Sequence, residues 1–259
     1  PFWEILVKSF MTDEDIISTT FAIWPKNWQF KGYEVIFTDV TYNIGRAFLN
    51  SIFVTFTDTV YQLAVTTMAA YALARKTLPG KKLFFFYFMV TMYFGGGLIP
   101  YYIVIRSLNL LNKIWVLIIP SFISVFNVLV MKAFFQLEEA AKIDGAGDFR
   151  VFTTIVLPLS KAILATIALF IAVGVWNNWF TTMLFIQDPK IRPLAYTLQV
   201  IIEKSRGVNT DTGSGVGATI IGESVQYAAI IVTVVPIIMV YPFLQKHFTK
   251  GVLVGSVKG

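Results

Sequence analysis

The run AILATIALFIAVGVWNNWFTTMLFI, Ala162 to Ile186, contains no Asp, Glu, Lys or Arg. A hydrocarbon core about 30 Å thick is crossed by roughly 20 helical residues at about 1.5 Å each, so this stretch is predicted to be a membrane helix. Backbone polar groups in lipid must bond within the protein, which leaves helices and closed barrels, and the run lacks the short alternation of a barrel strand. Working outward from it, apolar runs of similar length cover Leu49 to Ala74, Leu83 to Ile105, Ile114 to Phe135 and Glu223 to Gln245. Pro1-Phe2-Trp3-Glu4-Ile5-Leu6-Val7 reads as the outer end of a further helix, truncated at its N-terminus. An all-α membrane protein, one transmembrane domain over residues 1–259, is expected.

Composition points the same way: of 259 residues, 56% are hydrophobic and 14% charged, well away from a soluble average. The absence of Cys excludes a disulfide framework, a thiolate metal site and a cysteine nucleophile. A net charge of +6 could suggest nucleic acid, but the 21 Lys and Arg are scattered along the loops rather than gathered into a stripe, so no nucleic-acid partner is expected. Topology explains them. With Arg75–Lys82, Lys132–Lys161 and Lys246–Gly259 inside, basic density is higher on the cytoplasmic face, mainly through Arg75, Lys76, Lys81 and Lys82.

Between the spans, Thr12 to Arg46 is expected outside, with Trp24, Pro25 and Trp28 suited to the headgroup layer. Leu78-Pro79-Gly80 reads as a tight inner turn. Gly95-Gly96-Gly97 with Pro100 falls within the Leu83 to Ile105 run and would break or kink a helix unless neighbours resatisfy the freed backbone groups. Close helix packing through small residues is the preferred reading there, ahead of a gating hinge. A polar outside loop covers about 187–222, read as long and flexible. A charged amphipathic segment, Leu137 to Arg150 within an inner loop of about 136–158, is too polar to span. It is expected to form a short surface helix, with Glu near its start and Gly145 and Gly147 at its end.

That inner segment contains Glu139-Ala140-Ala141, three residues, Gly145, nine residues, then Ile155-Val156-Leu157-Pro158. The spacing resembles the E-A-A-x3-G-x9-I-x-L-P motif of ABC importer permeases. Likeness to the maltose-type carbohydrate permeases extends over nearly the whole chain, through Arg46 and Asn50-Ser51, through Ala70-Tyr71-Ala72-Leu73-Ala74-Arg75, and through the ending from Gln245 to Gly259. It looks nearest to the branch importing oligosaccharides and uronate-containing polysaccharides, including alginate, on Gly95 to Pro100 and Tyr241 to Lys246. One departure is that Phe134-Phe135-Gln136 runs straight into Leu137, where the family usually has a few more residues. A shortened loop and missing residues both fit.

The resemblance implies a six-helix type I importer transmembrane domain whose coupling helix enters a cleft of an ATPase subunit. Glu138, Glu139, Ala140, Ala141, Asp144, Gly145, Leu157 and Pro158 are the residues it assigns to ATPase coupling. Small alanines suit entry into a groove, and the three acids can pair with basic groups. The partners it implies are a second permease (a different chain), two ATPase subunits holding ATP and Mg, an extracytoplasmic solute-binding protein, membrane lipid and a saccharide. The setting it implies is the bacterial cytoplasmic membrane, crossed several times. No cofactor is expected on this chain.

Among other candidates, Trp176-Asn177-Asn178-Trp179 falls in the middle of the Ala162–Ile186 run, where amides are costly unless paired or wetted. Two readings stand open, a sugar-lined path using aromatic stacking and amide hydrogen bonds, and hydrogen bonding between helices. Asp58 is an acid inside an apolar run. Without companion acids or His it suits a structural pair or a polar cavity wall better than a proton relay. The sole histidine, His247, is past the last span and reads as solvated or interfacial. Lys190, Arg192, Lys204 and Arg206 form an outer basic group able to draw an acidic saccharide or an acidic binding-protein surface, although ordinary solvated charges are the plainer reading. No Walker A pattern, no Ser–His–Asp constellation and no metal cluster is visible, so neither catalysis nor metal binding is expected here. The competing function is an ion- or proton-coupled secondary transporter.

Overall fold

The computed structural model describes residues 1–39, 42–75, 77–138, 148–205 and 222–256, the side chains of 136–138, 148 and 240–256 excepted. The described residues form helices and contain no strand. In chain order these are α1 (Phe2–Lys8), α2 (Asp13–Ser18), α3 (Lys31–Thr38), α4 (Ile44–Ala74), α5 (Lys81–Tyr93), α6 (Leu98–Ser107) and, after 3-10 turns at Ile114–Leu117 and Ile119–Ser121, α7 (Val125–Glu138). Beyond the inner loop come α8 (Asp148–Val151), a π-helical turn (Phe152–Val156), α9 (Leu157–Leu159), α10 (Lys161–Trp176), α11 (Phe180–Phe185), α12 (Leu194–Ser205) and α13 (Glu223–Ser256). The chain divides into two compact units, Pro1–Val54 with Asn112–Ile114 and Trp176–Val240, and Thr55–Leu111 with Trp115–Val175 and Tyr241–Gly259.

In the first unit the stretch Thr12 to Arg46, expected as an outside connection, contains α2 and α3. Thr12 accepts from the Asp15 N–H at 3.1 Å and caps α2, whose first turn holds Asp13, Glu14 and Asp15 where the helix dipole favours negative charge. Val7, Met11, Ile16 and Ala22 form one small core with Tyr227. A second core joins Ile36, Tyr42, Ile44 and Ala47 to Leu194, Ile201, Val225, Ala228 and Ala229. Gly32 permits the close approach of α3 to α13, since a Cβ there would lie 2.7 Å from the Ser224 carbonyl oxygen. The outer loop, expected to be long and flexible over 187–222, contains α12, which buries Leu194, Thr197 and Ile201. Three- and four-residue spacing puts these on one face, and a helix of this length is too short to register in a search for spans.

The second unit packs around Ala70, Leu73, Ala74, Val128, Met131, Phe135, Ile167 and Ile171. Among the described residues no single helix is long and apolar enough to cross a membrane, but three bent pairs reach the length and composition together. The Leu49–Ala74 and Glu223–Gln245 runs lie inside unbroken helices, α4 and α13, whereas the other three expected spans are interrupted. α5 and α6 meet at 112°, the turns at Ile114–Ser121 meet α7 at 44°, and the Ala162–Ile186 run breaks between α10 and α11, while ahead of that run Phe149–Leu159 meets α10 at 78°. At the first break Gly97 takes φ 84° and ψ 170°, a region essentially reserved for glycine, so the glycine cluster breaks the helix rather than packing it. Pro100 then sits in the first turn of α6, where its missing N–H costs nothing. Pro158 follows the π turn closely. It cannot donate backward and its ring crowds the preceding carbonyls, which a widened turn relieves.

Candidate translocation path and coupling site

Asn177 and Asn178 lie in the break between α10 and α11, not within a continuous helix as expected, and both are exposed. The Asn177 carbonyl accepts from the Trp179 N–H at 3.0 Å, and Asn178 Oδ1 accepts from the Thr181 N–H in the first turn of α11 at 3.2 Å. Trp176 turns the other way. Its indole N–H donates to the Thr233 carbonyl at 3.3 Å and its ring meets Phe48 edge-on at 6.1 Å, so it is a packing residue of the first unit. Trp179 is half-buried beside Phe180, at 5.8 Å. Of the four-residue cluster, Asn177 and Asn178 are exposed residues and Trp176 packs within the first unit.

Asp58 is fully buried, 0% exposed, on α4. Its two carboxylate oxygens accept from Ser121 Oγ at 2.9 and 3.0 Å, and Gln62 Nε2 donates to Oδ2 at 3.2 Å. Ser121 stands in the turn before α7, next to Pro120. The acid therefore holds that turn against α4, and among the described residues it has no ion-pair partner. Ser121 and Gln62 carry no sequence signal of their own, and only the fold brings them to Asp58.

Of the four outer basic residues, Lys190, Arg192 and Lys204 are described. Lys190 is exposed. Arg192 donates from Nη2 to the Gln187 carbonyl at 2.8 Å and lies over the Tyr196 ring at 5.1 Å, while Lys204 lies over Tyr42 at 5.4 Å. Arg206 lies outside the described residues. The loop carrying Lys190 is fastened rather than free. Asn50 Nδ2 donates to the carbonyls of Lys190 and Arg192 at 2.9 and 3.2 Å, Ser51 Oγ accepts from the Leu194 N–H at 2.8 Å, and Asn112 Oδ1 accepts from the N–H groups of Gln187 and Asp188 at 3.0 and 2.8 Å. Asn112 itself sits at φ 54°, a left-handed position that asparagine tolerates.

Glu139, Ala140, Ala141, Asp144 and Gly145 lie outside the described residues, and for Glu138 only the backbone is described, at the end of α7. Both flanks of the segment are described. Leu157 and Pro158 form α9, and the chain turns at Ser160, which is fully buried. Phe149, on the outgoing flank, is 79% exposed. Tyr71 of α4 meets Phe135 of α7 at 6.3 Å and Phe152 of the π turn at 4.7 Å. Lys81 Nζ donates to the carbonyls of Ala74 and Arg75 at 3.2 and 3.0 Å, closing the end of α4, where cations suit the helix dipole.

The family described as "Binding-protein-dependent transport system inner membrane component" matches residues 83–254. The "Polygalacturonan/rhamnogalacturonan transport system permease protein YtcP" of Bacillus subtilis is 40% identical over 266 residues, covering 100% of this chain and 92% of that protein. Protein LplC of the same organism is 41% identical over 264 residues, covering 100% and 89%. The crystal structure of a bacterial ABC transporter involved in the import of the acidic polysaccharide alginate superposes with a TM-score of 0.83 at 28% identity, covering 96% of this chain and 90% of that one.

Proposed function

The chain belongs to the family of binding-protein-dependent transport system inner membrane components, and on that premise we propose that it forms half of the translocation path of an ABC importer for a carbohydrate, in particular an acidic polysaccharide or its oligomers. The observation that carries the substrate class is the likeness along the full chain to a permease named for polygalacturonan and rhamnogalacturonan, together with the likeness to an alginate importer. Those polymers are rich in uronate, and Lys190 supplies an exposed cation on the outer loop.

In this reading residues 1–259 are one transmembrane permease domain in the bacterial cytoplasmic membrane. The path is lined at Asn177 and Asn178, two exposed polar residues in the break before α11. Asp58 stays structural. The inner loop of about 136–158, through Glu138, Glu139, Ala140, Ala141, Asp144, Gly145, Leu157 and Pro158, docks on an ATPase subunit. ATP and Mg are held by two such subunits, this chain supplies no catalytic group, and a second permease and a solute-binding protein complete the complex. α5 has no buried residue in this chain, which suits a helix covered by lipid and partner permease.

ATPase activity of the complex, purified with its partner permease, ATPase and binding protein, tests the proposal across neutral and acidic oligosaccharides. Stimulation by oligogalacturonate or alginate oligomers, abolished by Glu139→Ala with Gly145→Val, is the expected result. An ATPase indifferent to every saccharide would overturn the substrate reading. Uptake driven by an ion gradient without ATP would replace it with the secondary transporter.

A further inference from the structure

The function so far leaves Tyr71 without a task, although it packs against two aromatic rings and a guanidinium. Its ring lies 4.7 Å from Phe152, tilted at 43°, and 6.3 Å from Phe135, nearly perpendicular at 80°, both within the range in which aromatic pairs attract. Phe135 is on the last turns of α7, which lead into the inner loop, and Phe152 opens the π turn that leads out of it. One side chain of α4 therefore touches both flanks. Arg75 fixes the ring from a third side, with its guanidinium 4.7 Å from the ring centre and Nη2 donating to the Tyr71 hydroxyl. The end of α4 is itself anchored by Lys81 on its last carbonyls and by the turn at Gly80, whose φ of 70° favours glycine.

The outgoing flank is compliant by construction. The π turn ends two residues before Pro158, and the chain bends by 78° between Phe149–Leu159 and α10. A force applied at the loop would bend this flank at the π turn unless something registers it against a stiff element. α4 is that element, since it runs unbroken over 31 residues.

We propose that Tyr71 is a positioning residue for energy coupling, holding the two flanks of the inner loop in register on the end of α4 so that movement of the loop reaches α4 as one displacement. The proposal rests on the importer reading above. Its chemistry predicts that the aromatic ring matters more than the hydroxyl, because both flanks are touched through ring faces and edges.

The test uses proteoliposomes holding the complete complex, with binding protein and oligogalacturonate as the transported probe, and measures sugar taken up per ATP hydrolysed. Tyr71→Phe should stay within about twofold of the native ratio. Tyr71→Ala and Phe152→Ala should keep substrate-stimulated hydrolysis while the ratio falls about tenfold, and the double variant should be no worse than either single one, as expected for contacting residues. A native ratio in Tyr71→Ala would overturn the proposal. So would an equal loss in Tyr71→Phe, or hydrolysis and uptake falling together, which a merely structural residue would give. Tyr71→Leu and Phe152→Leu carry the same comparison should the alanine variants fail to assemble. A native complex that shows no ATP-driven uptake of any saccharide would instead overturn the importer reading, and this proposal with it.

Discussion

The Ser121 hydroxyl lies 2.9 and 3.0 Å from the two carboxylate oxygens of Asp58, joining α4 to the turn that precedes α7. Asp58 is fully buried and Gln62 is its other hydrogen-bond partner, so the acid is a structural tie within the second unit. A buried polar group that loses its partner costs about 1–3 kcal/mol. Ser121→Ala should therefore lower the stability of the purified complex by that order, read by thermal unfolding. Asp58→Asn, which keeps the shape and an acceptor oxygen, should retain ATP-dependent uptake. Complete loss of uptake with an intact complex would mean that the acid moves protons.

Gly97 and Gly95 differ although they stand two residues apart. Gly97 has φ 84° and ψ 170°, whereas nothing lies within 4 Å of a Cβ placed on Gly95. Strain of this kind costs about 1–3 kcal/mol per residue. Gly97→Ala should reduce yield and thermal stability of the complex and disturb the 112° break, while Gly95→Ala should behave as native. Equal behaviour of the two variants would show that the break does not depend on the conformation of Gly97.

Gly32 makes room for α13. An added Cβ would meet the Ser224 carbonyl oxygen at 2.7 Å and the carbonyl carbon at 3.0 Å, both backbone atoms that cannot rotate away. Gly32→Ala is expected to destabilise by about 1–3 kcal/mol, the usual cost of overpacking. Limited proteolysis of the outer segment in the intact complex would detect the loosened contact, and an unchanged digestion pattern would argue against it.

Lys190 and Arg192 should respond differently to mutation. Lys190 is exposed, so Lys190→Glu is expected to leave assembly intact and to change the salt dependence of stimulation by the binding protein or the acidic sugar. Arg192 is tied to the Gln187 carbonyl and to Tyr196, and Arg192→Ala should cost about 1–2 kcal/mol of stability, with little change in salt dependence. Identical salt profiles for native and Lys190→Glu would remove Lys190 from any role in steering.

The apolar runs, the basic inner loops and the spacing from Glu139 to Pro158 made the helical membrane class and the family legible from the sequence alone, because burial in lipid demands length and apolarity and leaves little freedom in composition. Where the helices break was legible only as a choice. Gly95–Gly97 could pack or interrupt, and the backbone conformation of Gly97 decided for interruption. The amides at Asn177 and Asn178 were visible as an anomaly, but their exposure in a break, with Trp176 turned away to Thr233, depends on contacts far apart in the chain. The same holds for the Ser121 tie to Asp58, the Asn112 and Asn50 fastenings of the outer loop, and the two rings beside Tyr71. Periodicity and hydropathy report how one segment meets its solvent. Which side chains from distant segments meet one another is settled only when the helices pack.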